Sequence, residues 1–273
     1  MRLLEVLILF LLIVFLGIGF SVLWINFPTK EPVKYEEFSA DFGFENGGSA
    51  QFYPNMRYRD REIDYYIDAG CGEKRRNDTE IAFGILSGET SLRFYPASDE
   101  RSADIGVLCS DVAPEPEEEG HFVAGEGGPS KVINNSVYNV ILNGKVSLYR
   151  NDKCNEPKIA LHEVLHALGF DHNNNLKSIM YPTTNCEQEL DQYIIDEINK
   201  LYSVDSKPDL AIDELSANST GRYLNFEISV INIGLKNSKS SKLRVFSGSE
   251  ELKDFDLEAI EIGTKKVWTV QNL

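Results

Sequence analysis

Residues 162–172 read HEVLHALGFDH, and this stretch holds three of the four histidines in the chain. A proline five residues upstream predicts a helix, because a missing N–H costs nothing in a first helical turn. On that helix His162 and His166 are four residues apart, so their side chains stack on one face. Gly169 can end the helix in the left-handed conformation and turn the chain so that His172 approaches them. The spacing therefore predicts that three histidine nitrogens meet at one point.

Three histidine nitrogens that leave a fourth position open are typical of a catalytic rather than a structural zinc ion. A bound zinc lowers the pKa of its water towards about 7. Glu163 is turned by about 100° from His162 on the helix, so its carboxylate can address that water without being a ligand. We therefore expect His162, His166 and His172 to bind one Zn2+ and Glu163 to act as the general base.

Composition and charge limit the classes of function. With 42% hydrophobic residues, the 273-residue chain can bury a core, and its length suits roughly two domains. Acidic residues outnumber basic ones by 43 to 27, which gives a formal charge of −16. Such a polyanion repels phosphate backbones, and no cluster of Lys or Arg offsets it. We therefore expect no binding to nucleic acid.

The N-terminal residues predict a membrane segment. Residues 6–25 read VLILFLLIVFLGIGFSVLWI, carry no charge and are long enough to cross the roughly 30 Å hydrocarbon core of a bilayer. The alternative is a cleaved signal peptide, whose apolar stretch is usually about 7–15 residues and precedes a small-residue cleavage site. The run here is longer and NFPTK follows it. We expect a transmembrane anchor over residues 1–27, or a signal peptide, and a lead-in over 28–51.

The cysteines indicate the compartment. Cys71, Cys109, Cys154 and Cys186 contain no C-x-x-C pair, so a zinc site built from cysteines is not expected. An even number of cysteines fits disulfides formed outside the cytosol. We expect the body of the protein to be extracytoplasmic, on a single-pass membrane protein or secreted if the N-terminus is cleaved.

Between residues 52 and 202 the predicted elements form an α+β domain. Strands are predicted at 62–69, 91–95 and 103–108, and the clearest hairpin signal joins 137–142 to 145–149 through Asn143-Gly144. Residues 77–80 offer caps for a first helix, and two further helices are expected near 157–168 and 187–202. Residues 111–128 are rich in Pro, Gly and Glu and are predicted to form a loop.

The pattern changes after Tyr202. Residues 203–208 (SVDSKP) form a short polar linker, and no helical periodicity follows. Residues 223–231 (YLNFEISVI) alternate between apolar and polar side chains, which predicts a strand with one buried face. We therefore expect residues 209–273 to form a small β-sandwich.

HEVLHALGFDH followed by SIMYP at residues 178–182 resembles the metzincin zinc peptidases, and Met-Tyr-Pro most resembles the matrixins. The resemblance extends over residues 52–202 and implies a mixed twisted sheet with three helices. Met180 occupies the position of the methionine that lies beneath the metal in the family's Met-turn. The resemblance thus implies a zinc-dependent endopeptidase with a polypeptide substrate.

The same resemblance implies where a substrate would lie. In matrixins an edge strand pairs with the extended substrate, and residues 145–149 are the candidate here. Tyr181 and Pro182 match the segment that walls the pocket just past the scissile bond.

The chain also departs from the family. Asn173 follows the third histidine, where better-known subfamilies have Ser, Asp or Glu, so the subfamily stays open. Matrixins commonly carry a second, structural zinc held by histidines and an aspartate, and only His121 remains for it, so we expect one zinc. Cys71 lies in no cysteine-switch motif. We expect it in a disulfide, with Cys109 as a candidate and Cys154 then paired with Cys186, although four cysteines allow three pairings.

Two further segments carry alternatives. The acidic loop contains Glu117, Glu118 and Glu119 beside His121, which reads as a solvated loop or as carboxylates for Ca2+. It lacks the even D-x-D-x-D spacing of a calcium loop. Residues 209–273 resemble the CARDB-type adhesion domain, an immunoglobulin-like sandwich, through Pro208-Asp209-Leu210 and VINIG at 230–234. The sequence names no partner for this segment.

The favoured interpretation is a membrane-anchored, single-zinc metallo-endopeptidase. One rival is a vestigial metzincin-like adhesion or binding protein, against which the intact Glu163 argues, since such a protein needs no base. A second rival is a protease inside the membrane or facing the cytosol. The zinc motif lies some 135 residues beyond the predicted anchor, which excludes a site within the membrane.

Overall fold

The computed structural model describes residues 50–116, 122–221 and 223–271. Residues 50–202, here called the α+β domain, contain six strands and three α-helices, and residues 209–271, the β-domain, contain five strands. Among these described residues, no helix has the length and apolarity that a membrane crossing requires. The predicted anchor at 1–27 and nearly all of the lead-in lie outside them.

In the α+β domain a mixed sheet packs against buried helices. The elements are β1 Met56–Tyr58, β2 Glu62–Ile67, α1 Glu73–Glu89, β3 Arg93–Pro96, β4 Ile105–Cys109, β5 Gly125–Asn134, β6 Asn139–Leu148, α2 Lys158–Ala167 and α3 Gln192–Leu201. Strands β3, β2, β4 and β6 lie side by side in parallel, and β1 also pairs in parallel with the start of β6. Strand β5 pairs antiparallel with the other side of β6. This is the α+β arrangement with three helices that the sequence predicts.

Helix α2 lies deep in the core. Nine of its ten residues are buried, and its apolar side chains join the sheet and both other helices in one cluster. A helix buried all round cannot leave polar side chains unpaired without a large free-energy penalty. The histidines and the glutamate of this helix therefore need a specific role.

The hairpin predicted around Asn143-Gly144 is wrong. Residues 139–148 form one continuous strand, and the hairpin joins β5 to β6 through residues 135–138. A Cβ at Gly144 would lie 2.3 Å from Tyr58 Oη and 3.2 Å from the Ala167 carbonyl oxygen. Glycine is thus needed at this position for close packing against β1 and α2, and the local Asn-Gly signal misleads.

The edge strand is consequently a different one from that predicted. Residues 145–148 pair with β4 on one side and with β5 on the other, so the segment proposed to bind substrate is interior. Within the described residues β5 pairs only with β6 and forms the edge. Its first residues, GEGG at 125–128, belong to the stretch predicted as a loop.

Two helix starts also differ from the sequence prediction. Helix α1 begins at Glu73, four residues before the expected caps, because Asp78 and Thr79 point inward and are satisfied by the preceding turn. Lys74 donates to Asp78 at 2.5 Å, and Thr79 Oγ1 donates to the Arg75 carbonyl at 2.8 Å. Helix α3 begins at Gln192 rather than near 187, because Glu189 instead pairs with the backbone around Ser178.

The β-domain is entirely β. Its strands are β7 Leu210–Thr220, β8 Tyr223–Asn232, β9 Ser241–Ser247, β10 Glu250–Leu257 and β11 Lys265–Val270. Strands β7, β8 and β11 form one antiparallel sheet, and β9 and β10 form another. Phe226 and Ile228 on β8 pack against partly buried side chains of the second sheet, including Leu243 and Phe255. The strand predicted at 223–231 is confirmed, but its polar face is not wholly exposed, because Ser229 is buried as well.

Both disulfides form with the pairing that the sequence analysis favoured. Cys71 is bonded to Cys109, which ties the start of α1 to the end of β4. Cys154 is bonded to Cys186, which ties the segment before α2 to the segment after residue 182. No cysteine is left free.

Candidate metal centre

The start of helix α2 is held by a side chain that sequence reasoning missed. Asp152 is buried, its Oδ2 accepts from the Ile159 amide at 2.8 Å and its Oδ1 accepts from the Cys154 amide at 2.8 Å. It satisfies one of the amides that a helix N-terminus leaves without a partner. Pro157, at the cap position, makes no such side-chain bond. The sequence did not reveal this role, because Asp152 lies seven residues before the Ile159 amide that it binds, outside the usual cap position.

The end of helix α2 turns as predicted. Gly169 has a φ of +94°, and a Cβ there would lie 2.6 Å from Met56 Cγ. Both the left-handed backbone and the contact with β1 therefore require glycine. The turn brings His172 back over the helix.

The three histidines meet as predicted. The Nε2 atoms of His162 and His166 are 3.0 Å apart, and each is 3.1 Å from Nε2 of His172. Two ligand nitrogens of a tetrahedral zinc, each about 2.0–2.1 Å from the ion, lie roughly 3.3 Å apart. The observed spacing is close to that value. Elsewhere in the described residues, no group of three or more His, Cys, Asp or Glu side chains is arranged for a metal.

The proton positions also suit a cation. His162 Nδ1 lies 2.6 Å from the Ile179 carbonyl oxygen, and His166 Nδ1 lies 2.8 Å from that of Phe170. A carbonyl only accepts, so both Nδ1 atoms carry the ring proton. In neutral rings the two Nε2 atoms then present bare lone pairs to each other. Lone pairs at 3.0 Å repel unless a cation lies between them, so these residues fit a metal ion.

Burial keeps these rings neutral, which is the form that binds metal. It lowers the pKa of His162 to about 4 and lowers that of His166 well below the ordinary value. Burial also lowers the pKa of His172. All three rings are therefore neutral at pH 7, with no proton to release before a cation binds.

Glu163 is buried between helix α2 and the edge strand. Both its side chain and its backbone are tightly packed. A Cβ at Gly125 would lie 2.7 Å from Glu163 Cγ, and a Cβ at Gly127 would lie 2.1 Å from the Glu163 carbonyl oxygen. Burial, with a smaller effect from the Glu126 carboxylate, raises the pKa of Glu163 to about 8. A cation held by the histidines would act in the opposite direction and favour the ionised form, which is the form that serves as a base. Close packing on Glu163 thus accounts for the glycines at 125 and 127.

The predicted Met-turn is held by a network that sequence reasoning missed. Met180 is fully buried, and its amide donates to Ser178 Oγ at 3.0 Å. Ser178 Oγ in turn donates to the Asp191 carboxylate and accepts from Asn173 Nδ2. The Asn173 amide donates to the Met180 carbonyl at 2.9 Å. Asn173 thus joins the third histidine to this turn, and Asp191 is the cap residue of α3.

Tyr181 is half-buried and Pro182 is exposed, directly after Met180. Their role as a pocket wall stays a prediction. Residues 117–121, with the three glutamates and His121, lie outside the described residues, so calcium binding stays a prediction as well.

Comparison with known proteins agrees with this geometry. The sequence model of one family, described as Matrixin (Peptidase_M10), matches residues 57–203, which are 147 of the 273 residues. The match includes helix α2, all three histidines and Met180. A search of curated proteins finds no match to the chain.

Proposed function

Because the chain belongs to the matrixin family, we propose that it is a zinc-dependent endopeptidase in which Glu163 is the general base. The observation that carries the proposal is the convergence of three Nε2 atoms within 3.1 Å, two from helix α2 and one from the turn after it, beside Glu163 on the same helix. Three bare lone pairs at this spacing favour a bound cation, and the open fourth position favours a catalytic one.

The residues divide the chemistry between them. Zinc, when bound by His162, His166 and His172, supplies a Lewis acid that polarises a peptide carbonyl and acidifies a water molecule. The buried Glu163 carboxylate accepts the proton of the attacking water and returns it to the leaving nitrogen. In a site of low dielectric constant this proton transfer is worth typically about 10²–10⁴-fold in rate.

The substrate would be an extended polypeptide bound to the edge of β5. Within the part of the chain that the structure describes, no second strand pairs with β5 on the side away from β6, so a peptide strand can add there. Gly125 and Gly127 place this backbone directly against Glu163. A peptide paired with β5 would therefore pass the base and the metal ligands, with Tyr181 and Pro182 as the proposed wall of the adjacent pocket.

Two variants separate catalysis from metal binding. Glu163→Ala should retain zinc, because the carboxylate is not a ligand, and lose about 10²–10⁴-fold in turnover. His166→Ala should lose zinc itself, since two histidines hold the ion far less well. Zinc content by elemental analysis and cleavage of one quenched peptide are measured on both variants and on the unmutated chain.

Full activity in Glu163→Ala would contradict the proposed mechanism even if zinc were bound. Loss of zinc in Glu163→Ala to the extent seen in His166→Ala would show that the carboxylate is a ligand. An unmutated chain that binds zinc and cleaves no peptide would favour the vestigial adhesion or binding protein.

We further propose that residues 52–202 are the catalytic domain of a membrane-anchored protein and that this domain is extracytoplasmic. The charge-free segment at 6–25 and the two disulfides support this placement. Residues 203–208 would then be the linker and 209–273 an immunoglobulin-like domain, as five strands in two sheets suggest.

Thiol titration tests the compartment. Protein isolated from its native membrane and denatured without reductant should show essentially no free thiols, because Cys71–Cys109 and Cys154–Cys186 are closed. The same sample after reduction should show four. Four free thiols before reduction would contradict the extracytoplasmic placement.

A further inference from the structure

The β-domain packs directly on the hairpin formed by β5 and β6. Leu235 and Ile262 of the β-domain are buried against Val140 of β6, and the side chains of Ile133, Tyr138 and Leu142 complete this cluster. The cluster is separate from the main core of the α+β domain. The two domains thus share a small hydrophobic core, so they are joined by packing as well as by the linker.

The linker between the domains is held as well. Arg57 is fully buried, donates to the carbonyl oxygens of Leu201 and Val204, and lies 4.3 Å above the ring of Tyr202. Farther along, the Leu235 amide donates to the Lys207 carbonyl at 2.8 Å. These bonds order the backbone from the end of α3 to the first strand of the β-domain.

Asn135 is the polar centre of this contact. It is fully buried, and its Nδ2 donates to the carbonyl oxygens of Ile233 at 2.9 Å and Gly234 at 2.8 Å, both in the β-domain. Its Oδ1 accepts from the amides of Val137 and Tyr138 within its own turn. One side chain therefore shapes the β5–β6 turn and binds it to the β-domain.

Gly263 brings the β-domain into contact with the end of β5. Its φ is +68°, and a Cβ there would lie 2.5 Å from Ile133 Cγ2 and 3.2 Å from the Asn134 carbonyl oxygen. The loop therefore approaches β5 so closely that no residue with a Cβ fits at position 263 without displacing a neighbour. Even a methyl group at this position would push on β5.

The other end of β5 packs against Glu163, the proposed general base. Gly125 and Gly127 are packed against Glu163, and β5 runs from them to Ile133 and Asn134. Two register shifts interrupt β5 between Pro129 and Val132, but β6 pairs with the strand on both sides of them. The β-domain thus contacts one end of β5 and Glu163 contacts the other. Because close-packed elements transmit small displacements, a shift at the β-domain end can move the strand at Glu163.

We infer that the β-domain is a positioning module for the edge strand: through Asn135 and Gly263 it sets where β5 lies against Glu163 and hence where a paired substrate lies. The inference rests on the proposed peptidase function. It gives the β-domain a role in turnover without assigning it a ligand. Asn135 and Gly263 are accordingly positioning residues and touch no reacting atom.

The test compares two glycine substitutions in the full chain. Gly263→Ala and Gly248→Ala both place a side chain on a left-handed backbone, with φ values of +68° and +62°. Only Gly263→Ala meets β5, because nothing lies within 4 Å of a Cβ at Gly248. The readouts are kcat/KM per bound zinc on a quenched peptide and amide hydrogen exchange of residues 125–134.

Gly263→Ala should lower kcat/KM per zinc by about tenfold or more relative to Gly248→Ala, because a displacement of the order of 1 Å can cost about 10²-fold. Its exchange should rise at Gly125–Gly128, far from the substitution, and the added change Ile133→Ala should reverse part of both effects. Equal kcat/KM and equal exchange in Gly263→Ala and Gly248→Ala would overturn the inference.

A second pair covers the case in which Gly263→Ala does not fold. Asn135→Asp keeps the oxygen that shapes the turn and replaces the donor that binds Ile233 and Gly234. Asn218→Asp adds the same charge on an exposed strand of the β-domain. The same fall in kcat/KM and rise in exchange are expected for Asn135→Asp alone, and identical behaviour of the two would refute the inference. If the unmutated chain cleaves nothing, the proposed function has failed, and exchange at Gly125–Gly128 by itself decides the coupling.

Discussion

Ser178 shows how one buried hydroxyl can control the orientation of a metal ligand. It is fully buried between Asn173, Asp191 and the Met180 amide, and all three hydrogen-bond to its Oγ. The next carbonyl along the chain, that of Ile179, accepts from His162 Nδ1. Ser178 thus holds the backbone that fixes the tautomer and the direction of His162.

We predict that Ser178→Ala weakens zinc binding by about 10–100-fold, the usual effect of removing a group that orients a ligand. The measurement is competition for zinc with a chromophoric chelator. Ser249→Ala, at an exposed turn of the β-domain, is the control and should leave the affinity unchanged. An unchanged affinity in Ser178→Ala would show that the turn keeps its position without this hydroxyl.

At the scale of the element, helix α2 depends on contacts at both ends with residues outside the helix. Asp152 binds the Ile159 amide near its start, and Gly169 packs on Met56 of β1 at its end. The helix between them has only ten residues. Isolated helices shorter than about 12–15 residues are marginal in water, so these end contacts and the surrounding core maintain it.

Asp152→Ala should lower the free energy of unfolding by about 1–2 kcal/mol, the usual loss when a helix cap is removed. It should also weaken zinc binding, because His162 lies one turn inside the helix. The matched control is Asp99→Ala, which removes a carboxylate that accepts from the Arg101 and Ser102 amides at an exposed 3-10 turn. Denaturant unfolding and zinc competition on both variants check this, and equal zinc affinity in the two would contradict it.

For the whole molecule, zinc binding and folding are linked. The three Nε2 atoms come from a helix and from the turn after it, so the unfolded chain does not present them together. A ligand that binds only the folded state stabilises it by about 2.7 kcal/mol when present at 100 times its Kd. The two disulfides constrain the same domain independently of the metal.

We predict that the protein holds one zinc per chain and that its removal by phenanthroline lowers Tm by roughly 5–11 °C, since about 1 kcal/mol shifts Tm by about 2–4 °C at this size. Scanning calorimetry with and without the chelator measures the shift, and elemental analysis measures the stoichiometry. Glu163→Ala should show the same shift, whereas His166→Ala should show none. Two tightly held zinc ions would contradict the single site.

The histidine cluster could be predicted from the sequence, because its geometry is local. The spacing of His162 and His166 on one helix and the left-handed Gly169 place all three histidines within eleven residues. Helical periodicity and backbone sterics act over that distance, so no distant part of the chain is needed to predict the arrangement. The same locality made the alternating strand β8 readable.

The identity of the edge strand and the roles of the glycines depend on contacts between parts of the chain that local patterns do not connect. Asn143-Gly144 reads locally as a turn, yet Gly144 packs on Tyr58 and Ala167, far away in sequence. Gly125 and Gly127 read as loop residues, yet they allow β5 to lie on Glu163. Asp152, Ser178 and Asn135 likewise bind Ile159, Asp191 and Ile233, which are 7, 13 and 98 residues away. Strand pairing and close packing join residues distant in the chain, and a local pattern carries no information about which residues those are.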